Sequence, residues 1–471
     1  MRKIVVKGLL LNHIWHTYSS LFGMRIDKCL GRLPVWIALG LPFLLAVRPL
    51  LANGIYRDGF GAQSMAMGGA NTAWAADPLG AMTANPAGLA FLASPQLNLG
   101  VMGAITEGTF TKGTNSYAHL DDSLRGLPEA ALGFPWPNTP VTLGISFVPD
   151  SLMLADWRFN DPPGGLGGNV SYGVQDHHSE IIVLRPALGA AVRLTPNLSF
   201  GLSAGLLYNE NHLQAPYTFQ NLQPSSDAPY NGAKTLLDLH TSGFGWNVQA
   251  GLLYRPLTNL QVGLSYLSPS RLYTSGDATG DPYAQFSVTP GPLAFHYDAD
   301  VRNVLPQEVS AGLSWKPHQQ WRIALQLDWI NWAGAFQTLP VKLSNGTAPV
   351  SGVLGSTFQD NIPLNWQDEF VYRLGLEYAV MENLFLRAGY AYGKSPVPDS
   401  TLTPMTAAIM EHTLTAGIGY QWRNWEFDLA YQYDIPNTRN VGTSGLLSGE
   451  FSNSSTEVSV HVLALTADFR F

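Results

Sequence analysis

From Trp425 to Ile435 the chain alternates without a break. Trp425, Phe427, Leu429, Tyr431, Tyr433 and Ile435 stand against Glu426, Asp428, Ala430, Gln432 and Asp434. A period of two gives a β-strand with one apolar face and one polar or small face. The pattern returns in Trp321, Ile323, Leu325, Leu327 and Trp329 against Arg322, Ala324, Gln326 and Asp328. It returns again in Phe370, Tyr372, Leu374, Leu376 and Tyr378 against Val371, Arg373, Gly375 and Glu377. Strands of this kind need water or small polar partners on one side and an apolar medium on the other.

Charge decides which architecture supplies both. Only 13% of the 471 residues are Asp, Glu, Lys or Arg, against roughly 25% in a soluble globular chain. That is too little to coat a water-facing surface of this size, and a soluble β-sandwich would carry more charge on its polar face. The mean hydropathy of +0.03 is too low for a bundle of membrane helices. A transmembrane β-barrel fits, because only alternate residues face lipid. The net charge of −8 gives no reason to expect nucleic acid as a partner.

Short breaks join the strands in pairs: Trp136–Pro140, Thr195–Asn197, Pro256–Asn259, Pro317–Gln320, Met381–Asn383 and Arg423–Asn424. Six tight turns make twelve strands, and one at each end of the series, near Gln96–Ile105 and at Glu457–Phe471, makes fourteen. The third strand is expected to begin near Val141, with Pro149 as a candidate kink. Between pairs lie longer loops rich in Gly, Pro, Ser and Asp, the asymmetry of an outer-membrane barrel. Arg185, Arg193, Arg255, Arg322, Arg373, Arg387, Glu377, Asp328, Glu426 and Asp428 all fall on the lumen parity of their strands. A charge facing lipid at the midplane would cost ~2–4 kcal/mol. Trp315, Trp321, Tyr378, Tyr420, Trp422 and Trp425 cluster beside the tight turns, as an interfacial girdle does.

Two segments precede the barrel, which is read as 96–471. Residues 1–52 read as a cleaved export signal: Arg25, Lys28 and Arg32 flank the apolar run Leu33–Val47, and Ala52 offers a small residue for cleavage. The run is shorter than the ~20 residues of a membrane span and contains Pro34 and Pro42. Met24 is an alternative start, and the single cysteine, Cys29, falls within the signal. Residues 53–95 are of another kind. Gly59–Leu92 is built of small residues, carries only Asp77 as a formal charge and follows neither a helical nor a strand period. Such a stretch is expected to be compact, irregular and buried inside something larger.

The segment Gly61-Ala62-Gln63-Ser64-Met65-Ala66-Met67-Gly68-Gly69-Ala70, with Asn85-Pro86-Ala87-Gly88, resembles the N-terminal hatch of the FadL/TodX family of outer-membrane transporters for fatty acids and hydrocarbons. Asp328-Trp329-Ile330-Asn331-Trp332, Asn365-Trp366-Gln367-Asp368, Leu386-Arg387-Ala388-Gly389-Tyr390 and Ser395-Pro396-Val397-Pro398-Asp399 resemble further family stretches. The resemblance covers nearly the whole mature chain. It implies a fourteen-stranded all-β barrel plugged by its N-terminal segment, in the outer membrane of a Gram-negative cell. The implied function is passive uptake of a hydrophobic small molecule, a fatty acid or hydrocarbon. Ligand would land in a groove of the third and fourth outer loops, pass to a lumen pocket beside the plug, and leave sideways near a kinked third strand. Outer membrane lipids, lipopolysaccharide and the barrel assembly machinery, which reads a terminal residue such as Phe471, are the implied partners of a monomeric chain.

On this sequence the third outer loop, about 211–240, offers Leu213, Tyr217 and Phe219, with Leu222. The fourth, about 270–304, offers Leu272, Tyr273, Phe286 and Phe295, with Leu293. These side chains either bind ligand or pack the loops together. Arg185 and Arg373 either receive a ligand carboxylate or pair with Glu377 or Asp328. In the plug, Gly68, Gly69, Asn85, Pro86 and Ala87 are the candidate residues, Asn85 opening a Pro-fixed turn and hydrogen-bonding the wall or the plug itself. No cofactor, metal site or catalytic set is read. Asp176-His177-His178 is placed in an outer loop without a third ligand, Gly59-Phe60-Gly61 lacks the strand and helix of a nucleotide loop, and His412 and His461 have no evident partners. The alternatives are a general diffusion porin, with an open lumen, and a barrel hydrolase, with a Ser/His or Asp/His set at the wall.

Overall fold

The structure, a computed structural model, describes residues 56–471 apart from 76, 115, 122–123, 224–229 and 287–292. The expected signal, 1–52, lies outside the described residues. The alternating segments are strands of one closed antiparallel sheet. In chain order they are β1 (Gln96–Lys112), β2 (Arg125–Pro135), β3 (Val141–Asn160), β4 (Val174–Thr195), β5 (Leu198–Thr218) and β6 (Lys234–Leu257). β7 is Leu260–Leu267 continued by Ser270–Asp281, and β8 is Phe295–Leu305 continued by Glu308–His318. β7 is interrupted at Pro269 and β8 at Pro306, residues without an N–H for the ladder. Then follow β9 (Trp321–Ile330), β10 (Glu369–Met381), β11 (Leu384–Gly393), β12 (His412–Trp422), β13 (Trp425–Val441) and β14 (Ser454–Arg470).

Each strand pairs with its neighbours in sequence, and β14 closes on β1 along a continuous register from Gln96↔Arg470 to Lys112↔Ser454. Fourteen strands and six tight turns are those counted from the sequence. No helix among the described residues is long and apolar enough to cross a membrane. In β13, Phe427, Leu429 and Tyr431 are exposed outward while Glu426, Asp428 and Ala430 are buried. That is the alternation of an oily exterior and a polar interior.

Two departures from regularity matter for function. The first is a gap in the wall. β2 pairs with β3 only between Ala130↔Phe147 and Pro135↔Thr142, although β2 pairs with β1 as far as Ala104↔Arg125. Pro128 and Pro149, one on each bank of the gap, cannot donate to a ladder. At Pro149/Ser151 the register of β3 against β4 also shifts, so β3 does begin at Val141 and is irregular at Pro149. The second is the length of the outer ends. β5 runs to Thr218 and β7 from Ser270 to Asp281, so much of what the sequence assigns to outer loops is strand.

Candidate functional site

Residues 56–92 form three short helical pieces, Gly61–Ala66, Pro78–Thr83 and Pro86–Phe91. The last two start by the same local rule: a polar N-cap followed by proline, whose fixed φ suits the first helical position. Asp77 accepts from Gly80 N at 2.9 Å, and Asn85 Oδ1 accepts from Ala87 N at 3.1 Å. The pieces pack against inward-facing groups of the wall. Gly61 N donates to Glu129 on β2 at 2.8 Å, Ala62 N to Thr466 on β14 at 2.8 Å, and Gly68 N to Thr415 on β12 at 3.1 Å. Asn85 Nδ2 donates both to Leu252 O on β6, at 3.0 Å, and to Thr72 O, at 2.8 Å. Its side chain therefore bonds the wall and its own segment at once.

The wall meets this segment largely with glycine. A methyl group on Gly201 or Gly251 would strike Pro86 and Asn85, one on Gly375 would lie 2.6 Å from Met67 O, and one on Gly389 would strike Gly68. Gly68 and Gly69 themselves sit at φ of 64° and 74°, left-handed backbone that favours glycine.

The lumen arginines are engaged. Arg373 Nη1 lies 2.6 Å from Asp58 and its Nε 2.6 Å from Asp328. Arg387 binds Glu377, Glu426 and Asp428. Arg185 donates to Asn247 Oδ1 at 3.0 Å, Met82 O at 3.3 Å and Ser203 Oγ at 3.3 Å. Neither Arg185 nor Arg373 reaches the two apolar cavities described next.

An outer cavity of about 180 Å³ lies among the outer strand ends and loops. Its walls include Leu213 and Tyr217 from β5, Phe219 just past its end, Leu237 and Leu239 from β6, Phe336, Leu339, Ile362 and Trp366 from the 331–368 connection, and Met405 and Phe451. No Lys or Arg lines it among the described residues. Its carboxylates have partners: Asp360 accepts from Tyr217 at 2.5 Å, Glu450 holds Lys234 at 2.7 Å, and Glu180 lies 3.8 Å from His178.

An inner cavity of about 170 Å³ follows, lined by Met65, Met102, Leu127, Leu152, Val458 and Val460, with Tyr56–Gly59 on one side. Leu127 and Leu152 belong to the two banks of the wall gap, so this cavity abuts it. Its arginines are also partnered: Arg57 lies 2.5 Å from Glu129, and the half-exposed Arg125 lies 3.7 Å from Asp156. Met153 and Met405 line both cavities and so form their shared partition.

The loop candidates divide. Leu213, Tyr217 and Phe219 come together in the outer cavity, the first two on a strand and not a loop, Phe219 just past the strand's end. Leu272 is buried in another apolar cluster with Leu207 and Val183. Tyr273 points out of the barrel and is 58% exposed. Phe286 packs on Tyr230, and Phe295 packs edge-on against Tyr297. Phe336, Leu339, Ile362 and Trp366 were missed, although Trp366 lies in one of the family-like stretches. Asp176, His177 and His178 lie on β4 and do not converge: His177 stacks on Phe159 at 3.7 Å, and His178 pairs with Asp156. His412 and His461 do have partners, the hydroxyls of Tyr390 and Tyr431.

A search of curated protein sequences finds no match. Solved structures do resemble the chain. A *Pseudomonas aeruginosa* FadL homologue has 16% identity and a TM-score of 0.72, covering 89% of this chain and 100% of its own. The *Pseudomonas putida* toluene transporter TodX has 20% identity and a TM-score of 0.68, covering 89% and 100%. The *Ralstonia pickettii* toluene transporter TbuX has 19% identity and a TM-score of 0.66, covering 88% and 99%. At these identities the likeness is one of fold. The model of the outer membrane protein transport family (OMPP1/FadL/TodX) matches residues 44–471. The chain belongs to that family: it is an outer-membrane β-barrel transport protein and not an enzyme.

Proposed function

We propose that this protein admits small, uncharged hydrophobic compounds, hydrocarbons above all, through the outer membrane without an energy source. Ligand enters the outer cavity, crosses the partition at Met153 and Met405, and rests in the inner cavity beside Tyr56. It leaves sideways through the gap between β2 and β3. Residues 53–95 act as the plug that closes the lumen below the inner cavity, so the exit is lateral and not axial.

One observation carries this reading: two apolar cavities in succession whose lining, among the described residues, offers no unpartnered cation. Each buried methylene gains a ligand ~0.8 kcal/mol, which favours such cavities over an aqueous pore. A carboxylate brought into either cavity would lose water and find no free positive charge, at a cost of several kcal/mol. Neutral hydrocarbons incur no such cost, which favours them over ionised fatty acids. The reading agrees with the toluene transporters among the structural neighbours.

The test is uptake by cells that produce the protein and lack other transporters of the class, offered toluene, an alkane and a long-chain fatty acid. Faster uptake of the neutral compounds is expected. Uptake unchanged for all three would overturn the proposal, and faster uptake of the fatty acid alone would overturn its choice of ligand. Large ion conductance by the purified protein would favour the porin alternative.

A further inference from the structure

A third cavity, of about 90 Å³, differs from the other two in being polar, and the transport route makes no use of it. It lies between the N-terminal segment and the wall. Four buried oxygens in its lining have no hydrogen-bond partner among the described residues: Ser64 Oγ, Thr72 Oγ1, Asp150 Oδ2 and Gln249 Oε1. Asp150 belongs to the irregular stretch of β3, Gln249 to β6, and Ser64 and Thr72 to the N-terminal segment. Unsatisfied buried oxygens on four residues that line one cavity call for an occupant that supplies hydrogen or positive charge.

Water could satisfy the oxygens but not the charge. Asp150 and Glu308 line the cavity without an ion pair among the described residues, and the third lining carboxylate, Asp328, shares Arg373 with Asp58. Arg57 is bound to Glu129. Counted by formal charge, Asp150, Glu308, Asp328, Asp58 and Glu129 stand against Arg57, Arg373 and Arg185, an excess of two negative charges. The donors are oxygens only, carboxylate, amide and hydroxyl, the set that suits a hard divalent ion completing its shell with water. No His or Cys is present to select a softer metal.

We infer that this cavity is a binding site for Ca²⁺ or a cation of its class, held by Asp150, Glu308 and Gln249 against Ser64 and Thr72. The ion ties the N-terminal segment to β3, β6 and β8. The site stands independently of the transport reading, since none of these five residues lines either apolar cavity; only Tyr56, Arg57 and Gly59 are shared with the inner one.

The test uses the full-length protein in detergent with Tb³⁺ as the probe, because Tyr56 lines the cavity and can sensitise its emission. The background is D277N/D298N, which removes a surface group in which Asp277, His296 and Asp298 have ligand atoms within 4.8 Å of one another. One saturating Tb³⁺ per chain is expected, displaced by Ca²⁺ and dimmed by Y56F. D150N/E308Q should weaken binding at least about ten-fold. Q249L removes one oxygen and no charge, and should weaken it less; it keeps the test open if the double variant fails to assemble. Absence of saturable binding, or unchanged affinity in both D150N/E308Q and Q249L, would overturn the site and leave a water-filled cavity.

Discussion

Arg373 on β10 and Asp58, well ahead of the first strand at Gln96, face each other at 2.6 Å with both side chains buried. Asp58 also accepts from Thr413 on β12 at 2.8 Å. One carboxylate thus joins the start of the described chain to two strands more than 300 residues later. Removing one partner of a buried pair strands the other and costs on the order of 3–5 kcal/mol. Asp58→Ala is expected to loosen residues 56–75 while leaving the barrel strands intact. Faster hydrogen exchange confined to that segment is the readout, and unchanged exchange would count against the anchor.

The glycine contacts make a sharper prediction. Gly251→Val places a branched side chain where Asn85 and Pro86 now sit, and Gly201→Val does so against Pro86 and Ala87. Neither wall position can yield, because the clash is with backbone or with a side chain that holds backbone. Each variant should assemble as a barrel with Pro86–Phe91 displaced, seen as new protease cleavage near Ala87 and altered transport. Normal transport with no new cleavage would show that this contact is dispensable.

Met405 lines both apolar cavities. Met405→Trp should narrow the partition and slow uptake of hydrocarbon without abolishing binding in the outer cavity. Met405→Ala should leave uptake equal or faster. Flexible methionine suits such a position because it refills irregular space at little cost. Equal loss of binding and uptake in M405W would argue that the two cavities are one.

The outer loops should respond to pH in an unusual direction. Lys234 Nζ lies 2.7 Å from Asp161 and 2.7 Å from Glu450, and all three are buried. Burial raises both carboxylates above their ordinary range. Two acids and one base leave one negative charge, which a single proton cancels. The folded cluster therefore holds protons more tightly than the unfolded chain. Its stability falls as pH rises from the ordinary carboxylate range through the raised values, and is level above them. Limited proteolysis of the outer loops should be slower in mild acid than at alkaline pH. Lys234→Met, which leaves two buried acids facing each other, should cost about 3–5 kcal/mol and make the loops labile.

Much of the barrel was legible because each strand lies between lipid and a polar interior, so a residue's own parity states which way it faces. Fourteen strands follow from six turns because the turns are short and local. The outer ends were not legible, since strands that rise above the apolar band lose the oily face that marks them. Hence His177, Leu213 and Leu272 read as loop residues and lie on strands. Motif and spacing led to Asn85 but could not say that it bonds Leu252 and Thr72 together. Arg373 was read as meeting either a ligand or one of Glu377 and Asp328, and it does pair with Asp328; its second partner, Asp58, lies outside any strand, where no pattern would match the two. The outer cavity was half found for a similar reason. Phe336 and Trp366 reach it from a connection between β9 and β10 that has no period to read.

The seam between β14 and β1 carries a consequence for biogenesis. The first strand finds one of its two neighbours only when Arg470, the penultimate residue of the sequence, has arrived. Ala62, meanwhile, is bonded to Thr466, 404 positions away. Loop closure over such a separation comes late in any folding sequence. The N-terminal segment must therefore already be in place when the ring shuts, like cargo loaded before the hatch is welded.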